Sequence, residues 1–161
     1  MREGVGVITY NSSRVYEGHW SNDKREGVGF ERFSNGNIYE GEYSKGKVHG
    51  QGKYTWVSGE YYEGQWQMGN KDGYGIWEGV SGDSYIGQWR DNKPYGFGKH
   101  IWGNGDQYEG EWKACLRHGQ GCDTFVAGDV YVGEYTWGKA EGYGQYTWKN
   151  GNIYSGQFFN G

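Results

Sequence analysis

Proline is almost absent from this chain, and cysteine is nearly so. One proline and two cysteines stand among 161 residues. So few cysteines exclude a secreted disulfide framework and point to an intracellular, reducing setting. No apolar run approaches the roughly 18 residues of a membrane-spanning helix, and no signal peptide is expected at the start. An excess of one charge is also lacking. Sixteen basic against 20 acidic residues leave a net charge of −4, which gives no electrostatic case for nucleic acid. What is abundant is glycine, at 33 residues, together with 19 % aromatics. Glycine without a Gly-X-Y period excludes collagen, and so many aromatics argue against a disordered linker.

The glycines and aromatics keep a strict period. Tyrosine recurs at Tyr16, Tyr39, Tyr62, Tyr85, Tyr108, Tyr131 and Tyr154, always 23 residues apart. Glycine follows two positions after each, from Gly18 to Gly156. An aromatic follows at four: Trp20, Tyr43, Trp66, Trp89, Trp112, Tyr135 and Phe158. A Gly-x-Gly pair then recurs in register, as in Gly50/Gly52 and Gly73/Gly75. Self-similarity at this period means a repeat architecture. The whole chain, 1–161, is expected to form one repeat domain. It has partial units 1–15 and 154–161 around six full ones: 16–38, 39–61, 62–84, 85–107, 108–130 and 131–153.

The unit Tyr-x-Gly-x-Trp-x-x-Gly-x-x-His-Gly-x-Gly resembles the MORN repeat (membrane occupation and recognition nexus). Residues 39–52, YEGEYSKGKVHGQG, carry the resemblance best. It covers essentially the whole chain. Members of that family serve as scaffolds in cytoskeletal, ciliary and junctional assemblies, or as targeting modules beside enzyme domains. The resemblance therefore implies a non-enzymatic scaffold that binds partner proteins in the cytoplasm or cytoskeleton, with cilium or axoneme among the settings. It leaves two alternatives. One is a peripheral membrane module that binds phosphoinositides. The other is the accessory region of a larger enzyme such as a lipid kinase.

Each unit reads as two strands. Tyr-x-Gly-x-Trp alternates with the strand period. Six residues follow, with Gly, Asn or Asp at the third, which reads as a turn. The Gly-x-Gly strand then runs for about seven residues to a second turn, often Asn-Gly as at Asn35-Gly36, a strong hairpin signal. The fold expected is all-β: an elongated, single-layer antiparallel meander of hairpins with about 14 strands, since no segment is long enough for a parallel crossover.

Parity assigns two faces. Tyr39, Tyr62, Trp66, Tyr85, Trp89, Tyr108 and Trp112 share one face with the glycines, and with Trp56, Trp102 and Trp148 from the second strands. Glycine there leaves room for a ring from the neighbouring strand, with Gly73 and Gly75 on the same side. The other face carries Glu17, Glu40, Glu42, Glu63, Glu109, Glu111 and Glu134 on the first strands. The six-residue segments hold ten basic against five acidic residues, a +5 edge. That edge permits a lipid surface, and the seven glutamates argue against one.

Little in the pattern carries chemistry. Gly-x-Gly lies within strands and not before a helix N-terminus, so it is no phosphate loop. Cys115, His118 and Cys122 are three ligands in one hairpin, short of a zinc set. No Ser/His/Asp constellation emerges among four histidines. No catalytic residue, metal or cofactor site is expected. One departure stands out. The glutamate face should be polar, yet Tyr74, Ile76, Ile86, Phe97 and Ile101 lie there, where other repeats have Gln51, Lys53, Gln120 and Thr124. These five are the expected partner-binding residues, since contiguous apolar side chains mark contacts. Val5, Val7, Val28 and Phe30 form a smaller group. The uncharged first and last strands are further candidates for pairing with another chain.

Overall fold

A computed structural model describes residues 1–161. The chain divides into two compact units, Met1–Val80 and Ser81–Gly161. The first holds β1 (Gly4–Thr9), β2 (Val15–Ser21), β3 (Lys24–Arg32), β4 (Ile38–Ser44), β5 (Lys47–Thr55), β6 (Tyr61–Gln67) and β7 (Asn70–Glu78). The second holds β8 (Ser84–Arg90), β9 (Lys93–Ile101), β10 (Gln107–Lys113), β11 (Leu116–Thr124), β12 (Val130–Thr136), β13 (Lys139–Thr147) and β14 (Ile153–Phe158). Within each unit every strand pairs antiparallel with its sequence neighbours. The fold is an all-β antiparallel meander with no helix.

The turns differ from the sequence expectation. The six-residue segment is not a turn. Only two of its residues turn the chain; the first ends the preceding strand and the last three begin a nine-residue second strand, as in β4 and β5. At Asn22-Asp23, Lys45-Gly46, Asp91-Asn92 and Ala114-Cys115 both central residues have positive φ, for example 52° and 84° at Lys45 and Gly46. That is the two-residue turn whose twist matches a hairpin. The Asn-Gly pairs form the other class. Gly36 N–H donates to Phe33 O at 3.0 Å, and Phe33 N–H to Asn37 O at 2.9 Å. Gly36, at φ 90°, closes this three-residue turn in the left-handed region, which glycine enters without strain.

A bulge recurs in the hairpin of each full unit. Gly64 pairs with Gly75 while Trp66 pairs with Lys71, so Gln65 alone opposes three residues. The bulge interrupts strand parity and corrects one assignment. A Cβ on Gly73 would meet the side chain of Gln65, on the glutamate face. A Cβ on Gly75 would overlap the hydroxyl and ring of Tyr62. Only the second glycine of each pair makes room for a ring.

The core is a ladder of rings. Tyr16, Tyr39, Tyr62 and Tyr108 are fully buried, and Tyr85 nearly so. Each meets the aromatic four positions on edge to face, as Tyr62 does Trp66 at 5.0 Å and 88°. Within each unit these tyrosines also meet a ring of the next repeat, Tyr16 and Tyr39 in the first and Tyr85 and Tyr108 in the second, as Tyr39 does Trp66 at 5.7 Å and Tyr85 does Trp112 at 5.4 Å. Such pairs add about 0.5–1.5 kcal/mol beyond area burial. Every repeat tyrosine donates its hydroxyl to the carbonyl three residues on, at 2.9 Å for Tyr62 to Gln65. Phenylalanine could not satisfy that carbonyl. Indole N–H groups reach glycine carbonyls, as Trp66 to Gly52 at 2.9 Å and Trp112 to Gly98 at 3.0 Å.

Candidate functional site

The glutamate face is less free than its charges imply. Glu42, Glu111 and Glu134 each accept a backbone N–H at the bulge, Glu111 from Gln120 at 3.0 Å. Gln65 and Gln88 fill the same role toward Tyr74 and Phe97, at 2.6 and 2.8 Å. In these five hairpins the position supplies an acceptor, charged or neutral, whereas in the first His19 Nδ1 lies 3.2 Å from the Val28 carbonyl. Lys53 lies 3.4 Å from Glu63, which relieves the acidic character further.

Tyr74 and Ile76 lie on β7 in the first unit. Tyr74 is 54 % exposed, and Ile76 is half-buried opposite Glu63. Ile86, Phe97 and Ile101 belong to the second unit. Phe97 is 56 % exposed and opposite Glu111, Ile86 is exposed and opposite Lys99, and Ile101 is half-buried opposite Ser84 and Gln107. Val5, Val7 and Val28 are exposed.

On the other face, Trp66, Trp89 and Trp112 are buried, whereas Trp56 and Trp102 are half-buried. Trp148 is exposed, with one flank against Tyr146 at 4.8 Å. Cys115 is exposed in a two-residue turn, and Cys122 pairs across the sheet with Glu109 and Val132.

Sequence reasoning missed two buried carboxylates among the rings. Glu31 and Asp123 occupy the same repeat position and are almost fully buried. Arg25 donates to Glu31 Oε2 at 2.5 Å and Tyr43 donates to the same oxygen at 2.8 Å. Arg117 and Tyr135 do the same for Asp123 Oδ2, at 2.5 and 2.6 Å. Each arginine also donates to a turn carbonyl, Gly46 O at 2.6 Å or Gly138 O at 2.8 Å. Arg25 and Arg117 are thus removed from the basic edge. The signal was present: the aromatic four positions after the repeat tyrosine is a second tyrosine at Tyr43 and Tyr135, the two places where the preceding strand carries the acid. Burial raises the Asp123 carboxyl above the usual range, against the lowering by Tyr135 and Arg117, and the charge of Asp106 adds to the rise. Burial likewise pushes the Tyr43 and Tyr135 phenols up, with the adjacent carboxylates adding to it.

These features define a tandem-repeat β-sheet protein whose recurrent side chains serve packing and whose departures from the repeat face outward or line cavities. The chain belongs to the MORN repeat family, whose repeat matches at residues 16–38, 39–61, 62–84, 85–107, 108–130 and 131–153. No curated protein matches it. Among solved structures it is similar to the TCP domain of Drosophila melanogaster SAS-4 (dCPAP) in complex with a proline-rich motif of Ana2 (dSTIL). That match has 12 % identity and a TM-score of 0.53, over 96 % of this chain and 90 % of that one. A second similar structure is the TCP10c domain of Drosophila melanogaster Sas-4, also at 12 % identity, with a TM-score of 0.51 over 94 % and 97 %. At that identity the likeness concerns the fold.

Proposed function

We infer that the chain is a non-enzymatic scaffold that binds partner proteins in a cytoskeletal assembly, the cilium included. The observation that carries this reading is the pair Tyr74 and Phe97. Each is more than half exposed in a column where two other repeats carry Gln51 and Gln120 and two carry the likewise exposed Val28 and Tyr143. Each has its backbone N–H held by a glutamine of the facing strand. A large ring on a firmly held strand loses little freedom on binding, and Tyr and Phe are common anchors of protein contacts. Ile76 flanks Tyr74 in the first unit, and Ile86 and Ile101 belong with Phe97 in the second. The Drosophila domain of this fold is described in complex with a segment of a second protein, which supports a partner of the same kind here. Glu42 serves as a bulge acceptor, Asn37 as a turn tether and Asp123 in a buried ion pair, structural roles that support a reading without catalysis.

The test is partner recovery from cell extract by the full chain and by the double variant Tyr74→Gln with Phe97→Gln. The variant copies residues the repeat itself uses, so folding survives. Recovery of specific partners should fall sharply. Equal recovery by the two proteins would remove these residues from the binding surface.

A further inference from the structure

The two buried carboxylates differ in one partner. In the first unit Glu31 is occupied on both oxygens. Arg25 and Tyr43 take Oε2, and Arg14 takes Oε1, with Nε at 2.5 Å and Nη2 also in contact. The Arg14 guanidinium carbon lies 5.3 Å from the ring centre of Tyr10 and 5.4 Å from that of Phe33. A guanidinium held between rings on a carboxylate combines cation–π attraction with charge-assisted hydrogen bonds.

Four repeat lengths further on, a shift of 92 residues, the second unit has the same frame. Tyr10 is replaced by Trp102, Phe33 by Phe125, and Glu31 by Asp123, with Arg117 and Tyr135 for Arg25 and Tyr43. Arg14 is replaced by Asp106. Asp123 Oδ2 therefore carries both Arg117 and Tyr135, while Oδ1 takes no group of the protein, although the side chain is only 7 % exposed. A cavity of about 700 Å³ lies there, lined by Trp102, Phe125, Asp123, Arg117, Asp106 and Asp83 among others. Asp106 is fixed in place. Its Oδ1 accepts the Val126 N–H and its Oδ2 the Asn104 amide, each at 2.8 Å. Asp83 Oδ1 lies 3.8 Å from His100 Nε2, and burial holds the His100 imidazole below its usual pKa. Three carboxylates thus face one guanidinium around two aromatic walls.

We propose that this cavity binds the arginine side chain of a partner protein, which takes the place that Arg14 fills from within the first unit. The guanidinium lies between Trp102 and Phe125 and donates to Asp123 Oδ1, and Asp83 and Asp106 attract the positive charge. Lysine lacks the planar group that fits between rings, and a metal ion would meet ring faces where it needs oxygen donors. The proposal rests on the protein-binding reading above and locates a second contact, on the aromatic face.

The test uses N-acetylarginine methylamide, followed by the Trp102 indole resonance of the full chain in NMR. The lysine and citrulline counterparts and calcium chloride serve as comparisons. The arginine compound should shift that resonance saturably. The neutral citrulline compound should bind at least about tenfold more weakly, the scale of a lost charge-assisted bond. Asp123→Asn should abolish the shift. Asp106→Arg should abolish it too, because it refills the site as Arg14 does; the variant gives up the Val126 and Asn104 hydrogen bonds, so its retained dispersed amide spectrum is the check that separates lost binding from lost folding. Equal binding of citrulline or lysine, binding unchanged in Asp106→Arg, a response to calcium alone, or no saturable shift would each overturn the proposal. Because no partner protein is present, this titration can fail while partner recovery through Tyr74 and Phe97 succeeds, and the converse also holds.

Discussion

Tyr16 is boxed in from every side. Its ring touches Trp20 and Tyr43 edge to face, its hydroxyl donates to His19 O at 3.0 Å, and Gly29 lies beneath it. A Cβ on Gly29 would stand 2.6 Å from that hydroxyl and 2.7 Å from the ring. Gly29→Ala should therefore cost about 1–3 kcal/mol by overpacking, read as a lower melting temperature. The same burial raises the Tyr16 phenol from the ordinary 10.0 to about 12, and pushes Tyr39, Tyr62 and Tyr108 higher still. The unfolded chain ionises its tyrosines first. Stability is then fully present below pH 10 and is lost as pH rises through 12 and beyond. Tyrosinate absorbance should appear together with loss of near-UV circular dichroism in one steep alkaline transition. A gradual rise at ordinary tyrosine pKa, with the fold intact, would contradict this. The ladder was legible in the sequence because its period is exact. Glu31 and Asp123 were not legible, because strand parity gives a side chain's face and not the partner that neutralises it.

The turn is the element where sequence and structure part most clearly. The repeat signalled both turns of each unit through glycine and asparagine. It did not reveal that the two-residue turn lies at Lys45-Gly46, or that Asn35-Gly36 closes a three-residue one. Turn class depends on how many residues carry positive φ, and Asn-Gly suits either class. The bulge was hidden for a similar reason. Gly73 and Gly75 are alike in the sequence, and only the register places one against Gln65 and the other against Tyr62. The fifth hairpin is the costly one. Ala114 and Cys115 adopt φ of 50° and 71°, and at the position of Cys115 the other units place asparagine, aspartate or glycine. Cys115→Gly should stabilise the chain by about 1 kcal/mol by relieving that left-handed residue, which would appear as a higher melting temperature. An unchanged or lower value would show that the turn carries no strain.

For the whole molecule, the all-β meander was legible from the 23-residue period, because each repeat must adopt the same two strands. The binding surface was only half legible. Apolar side chains in a polar column marked the outer residues, whereas the cavity at Asp123 emerges only when one repeat is laid on another in three dimensions. The basic edge that made a lipid surface admissible loses Arg25 and Arg117 to buried carboxylates. The chain should accordingly stay in the supernatant with anionic liposomes at about 0.15 M salt, where charges are screened beyond about 8 Å. Pelleting that is abolished by reversing Lys45 and Lys47 would count against the protein-binding account. The most direct measurement places a photoreactive phenylalanine analogue at Phe97 in the cell, and the same analogue at Gln120 in the equivalent column. The account predicts discrete protein adducts from position 97 and few from position 120. Adducts to lipid alone, or the same adducts from both positions, would contradict it.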